Sequence, residues 1–416
     1  HAVHDLRGRV RKVRASQRVD LDHQQIGVLA TGDQWRQGRV ERIAAVVARI
    51  ARDRAAGFDV VAVVSAMGDT TDDLLALASS VTGGALPSAR EQDALLATGE
   101  IQSAALLAMA LQARGVEAVS LSGAQAGISA DGTYGKGRIA GIEPKRVRAE
   151  LNAGRVVIVA GFQGVSDGSE TTTLGRGGSD TSAVALAAAL GADRCQIFTD
   201  VDGVYTADPR IVLAARKMPE LSYEEMLELA SSGSKVMQSR SVEFAQKYNV
   251  PFEVRSSFND QPGTIVKAIA KTLEDAAIAG VALDRLQTRV TVSDLPDNPQ
   301  AIAAIFDDLG EAGLSVDMII KNLGKDGKSN LTFSVTTDQY VRVEKVVGQT
   351  LKKLGSGTVR SAGEISKLSI VGVGMISHPG VAGTLFKALA SVGINSELIT
   401  TSEIKISVAL DPAKAD

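Results

Sequence analysis

The chain has 416 residues, 44% hydrophobic and 22% charged, with a formal net charge of -3; this is enough for two or more domains with cores of their own, and the balance calls for neither nucleic acid nor an acidic membrane surface. A single cysteine, Cys195, excludes an intrachain disulfide framework and a zinc site built on several thiolates, and fits a reducing cytoplasm. The longest apolar runs, Ala183–Leu190 and Ala104–Leu111, fall well short of the roughly 20 residues a bilayer requires, so no segment is expected to span a membrane.

Residues 1–39 are atypical. Arg7, Arg9, Arg11, Lys12, Arg14 and Arg18 crowd a stretch without helical or strand period, which predicts disorder, while Asp5, Asp20, Asp22 and the scarcity of serine argue against a targeting peptide. Val40 to about Ala56 reads as a helix and Val60–Val64 as a buried strand. The alternation repeats with helix Ala94–Ala113 and strand Ala118–Leu121, then helix Lys145–Asn152 and strand Arg155–Ala160. An alanine-rich helix after Thr181 leads to strand Cys195–Thr199, and one helical region, Tyr223–Tyr248, leads to strand Phe252–Arg255. This predicts an α/β domain over 40–265, with a central mainly parallel sheet sandwiched by helices.

After the turn-rich Asn259–Gly263 the texture changes to two similar strand–helix–strand units. Val290–Val292 precedes a turn with Pro296 and Pro299 and a helix ending at Gly313; Leu368–Val371 precedes His378-Pro379-Gly380 and a helix ending at Gly393. An internal duplication is expected, with βαββαβ (ferredoxin-like) modules at 280–355 and 356–416. Such modules leave sheet surface uncovered and pair side by side, which predicts a homodimer or higher oligomer.

The strongest chemical signal is Thr173-Leu-Gly-Arg-Gly-Gly-Ser-Asp-Thr181, immediately before an apolar helix. Glycines let backbone approach a ligand, the helix N-terminus favours an anion, and Arg176 offers a planar fork for a carboxylate. Local physics leaves open a loop in which Ser179 or Asp180 merely caps the helix. The spacing matches neither a Walker loop nor a dinucleotide fingerprint.

Gly-Arg-Gly-Gly-Ser-Asp-Thr closely resembles the signature of the amino-acid kinase superfamily, and of the aspartate kinase family in particular. Val64–Asp72, Leu95–Glu100, Val159–Gly164 and Thr199–Arg210 resemble further family motifs in family order, and the paired C-terminal units resemble ACT regulatory modules. The resemblance implies an ATP-dependent kinase acting on the β-carboxylate of L-aspartate, with ATP as co-substrate and Mg²⁺. It implies Arg176 and Asp180 as catalytic residues, and Thr71, Glu100, Phe162, Arg176, Ser179 and Asp180 around aspartate. Thr199, Asp200, Tyr205, Asp208, Arg210 and Lys235 are implied at the nucleotide. Taken singly, Glu100 reads as a solvated charge at a helix start, Tyr205 as a packing aromatic and Lys235 as an exposed helix charge.

A carboxylate is already ionised at neutral pH, so the transfer asks for in-line positioning and charge neutralisation rather than a strong base. His1, His4, His23 and His378 lack metal-ligand spacing, and His378 is expected in a regulatory turn. One departure stands out. The family opens with a strand followed by Lys-Phe-Gly-Gly-Thr-Ser, whereas Thr31–Arg36 has neither the lysine nor the paired glycines. Read one nucleotide later, codons for Gly32–Arg39 can encode Gly-Thr-Ser-Gly-Asp-Arg-Val and rejoin Glu41 in register, which points to a frameshift.

Lysine and threonine are the effectors that the resemblance implies, with Asp294, Pro296, Lys321 and Asn395 at effector positions. Asp297 and Lys321 stand where the family has glycine and glutamine, and the added positive charge predicts weakened inhibition. The final helix usual in the family is absent, so the second module is expected to be incomplete. Two other functions fit parts of the pattern: a non-catalytic, amino-acid-sensing subunit, and a kinase for another amino acid.

Overall fold

The computed structural model describes residues 25–31, 39–234, 236–269, 277–324 and 327–415. Its centre is an eight-stranded sheet built from β1 (Gln25–Thr31), β2 (Phe58–Val64), β3 (Ala118–Leu121), β6 (Val156–Ala160), β9 (Arg194–Thr199), β10 (Glu220–Ser222), β11 (Phe252–Ser256) and β12 (Thr264–Lys267). The spatial order is β10-β12-β11-β9-β1-β2-β6-β3, and every neighbouring pair is parallel except β11–β12. Strand residues alternate between two cores, as the period of two requires. Val61, Val63, Val157 and Val159 pack under helix α5 (Gly178–Leu190), whereas Val60, Ala62, Ile158 and Ala160 face α1 (Arg39–Ala55) and α3 (Ala89–Gln112).

Residues 1–39 are therefore not wholly outside the fold. Gln25–Thr31 pairs with β2 on one side and β9 on the other, in the middle of the sheet. The apolar letters of Ile26-Gly-Val-Leu-Ala30 carried that strand, but the arginine-rich residues before them obscured it.

Helix α2 (Thr70–Val81) follows β2, and α4 (Lys145–Asn152) precedes β6. The expected single helix over 223–248 is two, α6 (Tyr223–Ser231) and α7 (Ser239–Tyr248). The break contains Gly233, whose φ of +110° no ordinary helix residue adopts. A second, four-stranded sheet, β5-β4-β7-β8, is made of β4 (Ile128–Ala130), β5 (Ile139–Ile142), β7 (Gln163–Val165) and β8 (Thr171–Thr173). By length and composition α3 could cross a bilayer, but half of it is buried, and its buried face packs on β3, β6 and β8.

The C-terminal part is one six-stranded antiparallel sheet, β14-β15-β13-β16-β18-β17. Its strands are β13 (Gly280–Pro296), β14 (Asp317–Leu323), β15 (Lys328–Thr336), β16 (Thr358–Val371), β17 (Leu398–Thr401) and β18 (Lys405–Leu410), with helices α8 (Pro299–Glu311), α9 (Tyr340–Leu354) and α10 (Val381–Ser391). Cutting this part sequentially at 355/356 does not follow the strands. The first half of β13 pairs with the second half of β16, beside β18, while the second half of β13 lies between the first half of β16 and the whole of β15. Each long strand thus serves both units. Helix α6 joins this sheet to the kinase sheet: Glu225 accepts from Val373 N at 3.0 Å, and Glu228 pairs with Lys405 at 2.8 Å.

Candidate active site

Four neighbouring strands finish at one edge, where Thr31 lies beside Val64 and Phe198, and Val64 beside Ala160. Segments leaving the carboxyl ends of parallel strands are where an α/β sheet presents a site. Ser65–Met67, Gly161–Gln163 and Asp200–Tyr205 are those segments here.

The glycine-rich stretch is fixed by approaches that exclude a side chain. Leu174 N donates to Phe162 O at 2.8 Å. A Cβ on Gly161 would stand 2.8 Å from Ser179 Oγ, one on Gly178 3.0 Å from Phe162 Cδ2, and one on Gly177 2.2 Å from Gln238 Cγ. Gly177 also has φ +70° and is the N-cap of α5, so no capping side chain closes the helix N-terminus. Phe162 has φ +65°, a left-handed conformation costly for a bulky residue and held by this packing.

Ser179 is buried and Asp180 half-buried in the first turn of α5. Arg176 is exposed and makes no ion pair among the described residues. Glu100 is 4% exposed and accepts from Ala66 N at 3.0 Å. Thr71 lies in the first turn of α2, whose start lies against α3 because Gly99 lacks a side chain: a Cβ there would be 2.9 Å from Ala66 Cβ and 3.4 Å from Thr70 Cγ2. The six residues assigned to the aspartate pocket thus sit on mutually contacting segments. An exposed guanidinium and a buried carboxylate at one edge suit a substrate carrying both carboxylate and ammonium groups.

The nucleotide set is held differently. Thr199 Oγ1 donates to Asp200 at 3.0 Å, and Arg210 grips Asp208 through Nη2 at 2.7 Å and Nε at 3.0 Å. Tyr205 Oη donates to Asp202 at 2.9 Å, and Lys217 Nζ reaches the other oxygen of Asp202 at 3.3 Å. Burial pushes the Asp202 carboxyl up, but these two donors hold it below the usual carboxylate range, and the same bond raises Tyr205. Hydrogen bonds from Arg210 likewise hold Asp208 below that range. Lys235 lies outside the described residues, as do Gly32–Gly38 of the altered N-terminal motif.

Two residues were missed by sequence reasoning. Lys217 is brought beside Tyr205 by an isolated antiparallel bridge, which no local pattern announces. Arg240 on α7 donates to Leu174 O at 2.5 Å and Gly137 O at 2.6 Å, closing the glycine-rich loop from behind.

At the regulatory sheet Asp294, with φ +58°, faces Lys328 at 3.6 Å, and Pro296 pairs with Lys328 across β13 and β15. Lys321 does not contribute an unbalanced charge: its Nζ is 2.5 Å from Asp297, so the two departures from the family pattern neutralise each other. Asn395 is exposed in the loop between α10 and β17. His378 donates from Nδ1 to Gly374 O, 2.7 Å away, in the turn expected for it.

The amino acid kinase family model matches residues 28–256, and an ACT domain model matches 368–416. An aspartokinase of Mycolicibacterium smegmatis is 50% identical over 381 residues, 90% of each chain. The aspartate kinase of Pseudomonas fluorescens is 48% identical over 375 residues, 90% of this chain and 91% of its own. The chain belongs to the aspartokinase family. The crystal structure of aspartate kinase from Synechocystis is 42% identical, with a TM-score of 0.53, over 94% of this chain and 68% of that one. E. coli aspartokinase III in complex with aspartate and ADP shares the fold, with a TM-score of 0.77 at 24% identity over 93% and 97% of the two chains. As in an aspartokinase, an amino-acid kinase domain is followed here by a C-terminal ACT domain.

Proposed function

We propose that the chain transfers the γ-phosphate of ATP to the β-carboxylate of L-aspartate, giving 4-phospho-L-aspartate, as the first step toward lysine, threonine and methionine. What supports this reading is that the loop of exposed Arg176 and the helix of buried Glu100 are tied to the same carboxyl-edge segment, through Leu174 N to Phe162 O and Gln163 Nε2 to Ala97 O. Arg176 grips a substrate carboxylate, Glu100 receives the ammonium, and Thr71, Phe162 and Ser179 line the pocket between them. The N-terminus of α5, which no side chain caps, and the Arg176 guanidinium oppose the charge that spreads over the transferring phosphoryl group. Thr199, Asp200 and Tyr205 flank the nucleoside, while Asp208, Arg210 and Lys235 follow its phosphates.

Mg²⁺ supplies charge neutralisation at the phosphates when bound. Asp180, a carboxylate in the first turn of α5, would help to hold it there. Lysine or threonine binds the ACT region near Asp294, Pro296, Lys321 and Asn395; the Lys321–Asp297 pair leaves no excess charge to repel an ammonium ligand. The chain works in the cytoplasm as a homodimer or larger assembly through its ACT sheet. The second reading, a sensing subunit without catalysis, is favoured by one observation, the missing Lys-Phe-Gly-Gly-Thr-Ser.

Hydroxylamine trapping of the acyl phosphate separates the two. Aspartate-dependent product is expected from a version carrying Lys-Phe-Gly-Gly-Thr-Ser before Val40, and much less from the sequence as it stands. Product from neither version gives the sensing-subunit reading.

A further inference from the structure

Helix α3 carries three groups spaced i, i+4 and i+7, and therefore on one face: Asp93, Ala97 and Glu100, all buried. Each reaches a different loop of the pocket. Glu100 accepts from Ala66 N, and Ala97 O accepts from Gln163 Nε2 at 2.9 Å, beside Phe162. Asp93, 1% exposed, accepts from Gly135 N at 3.0 and 2.9 Å, from Thr173 N at 2.8 Å and from Thr173 Oγ1 at 2.7 Å. Thr173 leads directly into Leu174–Gly178, and Gly175 lies over Gly135, where a Cβ would stand 3.2 Å from Gly135 O.

No step of the chemistry uses Asp93. It is a buried carboxylate whose hydrogen-bond donors here are neutral, and burying a charge in this way is costly unless the bonds it makes matter. Those bonds anchor the strand end from which Arg176 departs. Seven residues along the same rigid helix stands Glu100. The helix is thus a ruler between the two ends of the pocket.

We propose that Asp93 is a positioning residue that sets the separation of Arg176 from Glu100, and so the length of dicarboxylate the pocket accepts. This rests on the reading of Arg176 and Glu100 as the partners of the substrate's carboxylate and ammonium. An Asp93→Asn variant keeps the volume but turns one acceptor into a donor facing backbone N–H groups, so the Thr173 end of the ruler loosens.

The test is titration calorimetry on the whole chain with L-aspartate, L-glutamate and ADP as separate titrants. Asp93→Asn is expected to weaken aspartate roughly tenfold and to narrow its preference over glutamate, with ADP within about twofold of the parent, since a 1.4 kcal/mol loss is tenfold. Thr173→Val removes only the hydroxyl donor and moves the same values in the same direction by about threefold. It decides the matter if Asp93→Asn does not fold. Equal weakening of aspartate and ADP, or an unchanged aspartate-to-glutamate ratio in a folded variant, overturns the proposal. Arg176→Ala tells its failure apart from that of the underlying reading: unchanged aspartate affinity there removes the reading itself, whereas lost affinity there with a silent Asp93→Asn removes only the ruler.

Discussion

The two halves of the site are prepared in opposite ways. Around the pocket proposed for aspartate the protein has already spent its hydrogen bonds on its own backbone: Glu100 holds Ala66, Arg240 holds Leu174 and Gly137, and Phe162 is locked in a left-handed turn. Around the site proposed for the nucleotide the polar side chains hold one another, Asp208 with Arg210 and Asp202 with Tyr205 and Lys217. A small dicarboxylate needs a pocket of fixed length, so rigidity there gives selectivity. A long, highly charged nucleotide can exchange partners with ion pairs near the surface, which are weak and inexpensive to open.

The contrast can be broken most sharply at Arg176. Arg176→Ala is expected to lower turnover about 100- to 1,000-fold, the usual loss for a donor aimed at developing charge, with KM for ATP little changed. A comparable rise in both KM values would mean that the two halves are not separately organised. Next comes Arg240→Ala, which strips donors from two carbonyls and should cost about 1–3 kcal/mol of stability. Denaturant unfolding measures the cost, and aspartate should protect the variant less than the parent.

A third change probes the joint between kinase and regulatory sheets. Lys367, whose side chain is 3% exposed, pairs with Asp317 at 2.7 Å, while the Asp317 side chain is 46% exposed. Lys367→Met should therefore cost about 1–2 kcal/mol, less than the roughly 3–5 kcal/mol of a fully buried broken pair. Burial pushes the Asp317 carboxyl up, but Lys367 more than offsets it and holds the group below its ordinary value. A depressed carboxylate contributes stability above its unfolded pKa, about 4, and loses it as pH falls through the folded value. Melting curves from pH 7 to 3 should show the parent's advantage over Lys367→Met shrinking at the acid end. The smallest effect is expected at Tyr205→Phe, which removes an outer hydrogen bond to Asp202 and should alter ATP affinity by no more than about threefold.

Much of this was legible beforehand. Strand–helix alternation from Val60 to Arg255 predicted the parallel sheet, because full burial on both faces leaves an unmistakable run of apolar residues such as Val60–Val64. The glycine loop was legible because close backbone approach admits only glycine at Gly177 and Gly178. Three-residue strands such as β4 and β8 were not, since they are shorter than any periodicity window. Nor were the supports of the site. Arg240 meets Leu174 and Gly137 from 66 and 103 positions away, and Asp93 meets Thr173 from 80, so no local pattern marks either residue. The repeat in the regulatory half was visible, but a repeat announces two copies and not an exchange of strands between them.

That exchange bears on how the regulatory half can be inherited. A chain interrupted between Gly355 and Ser356 would keep β13 but lose β16, its partner from Gly280 to Ser293, and a free C-terminal fragment would begin with a strand designed for a neighbour it no longer has. Neither piece is a self-sufficient unit. Gene fission at that point would separate strands that pair along almost their whole length, β13 from β16.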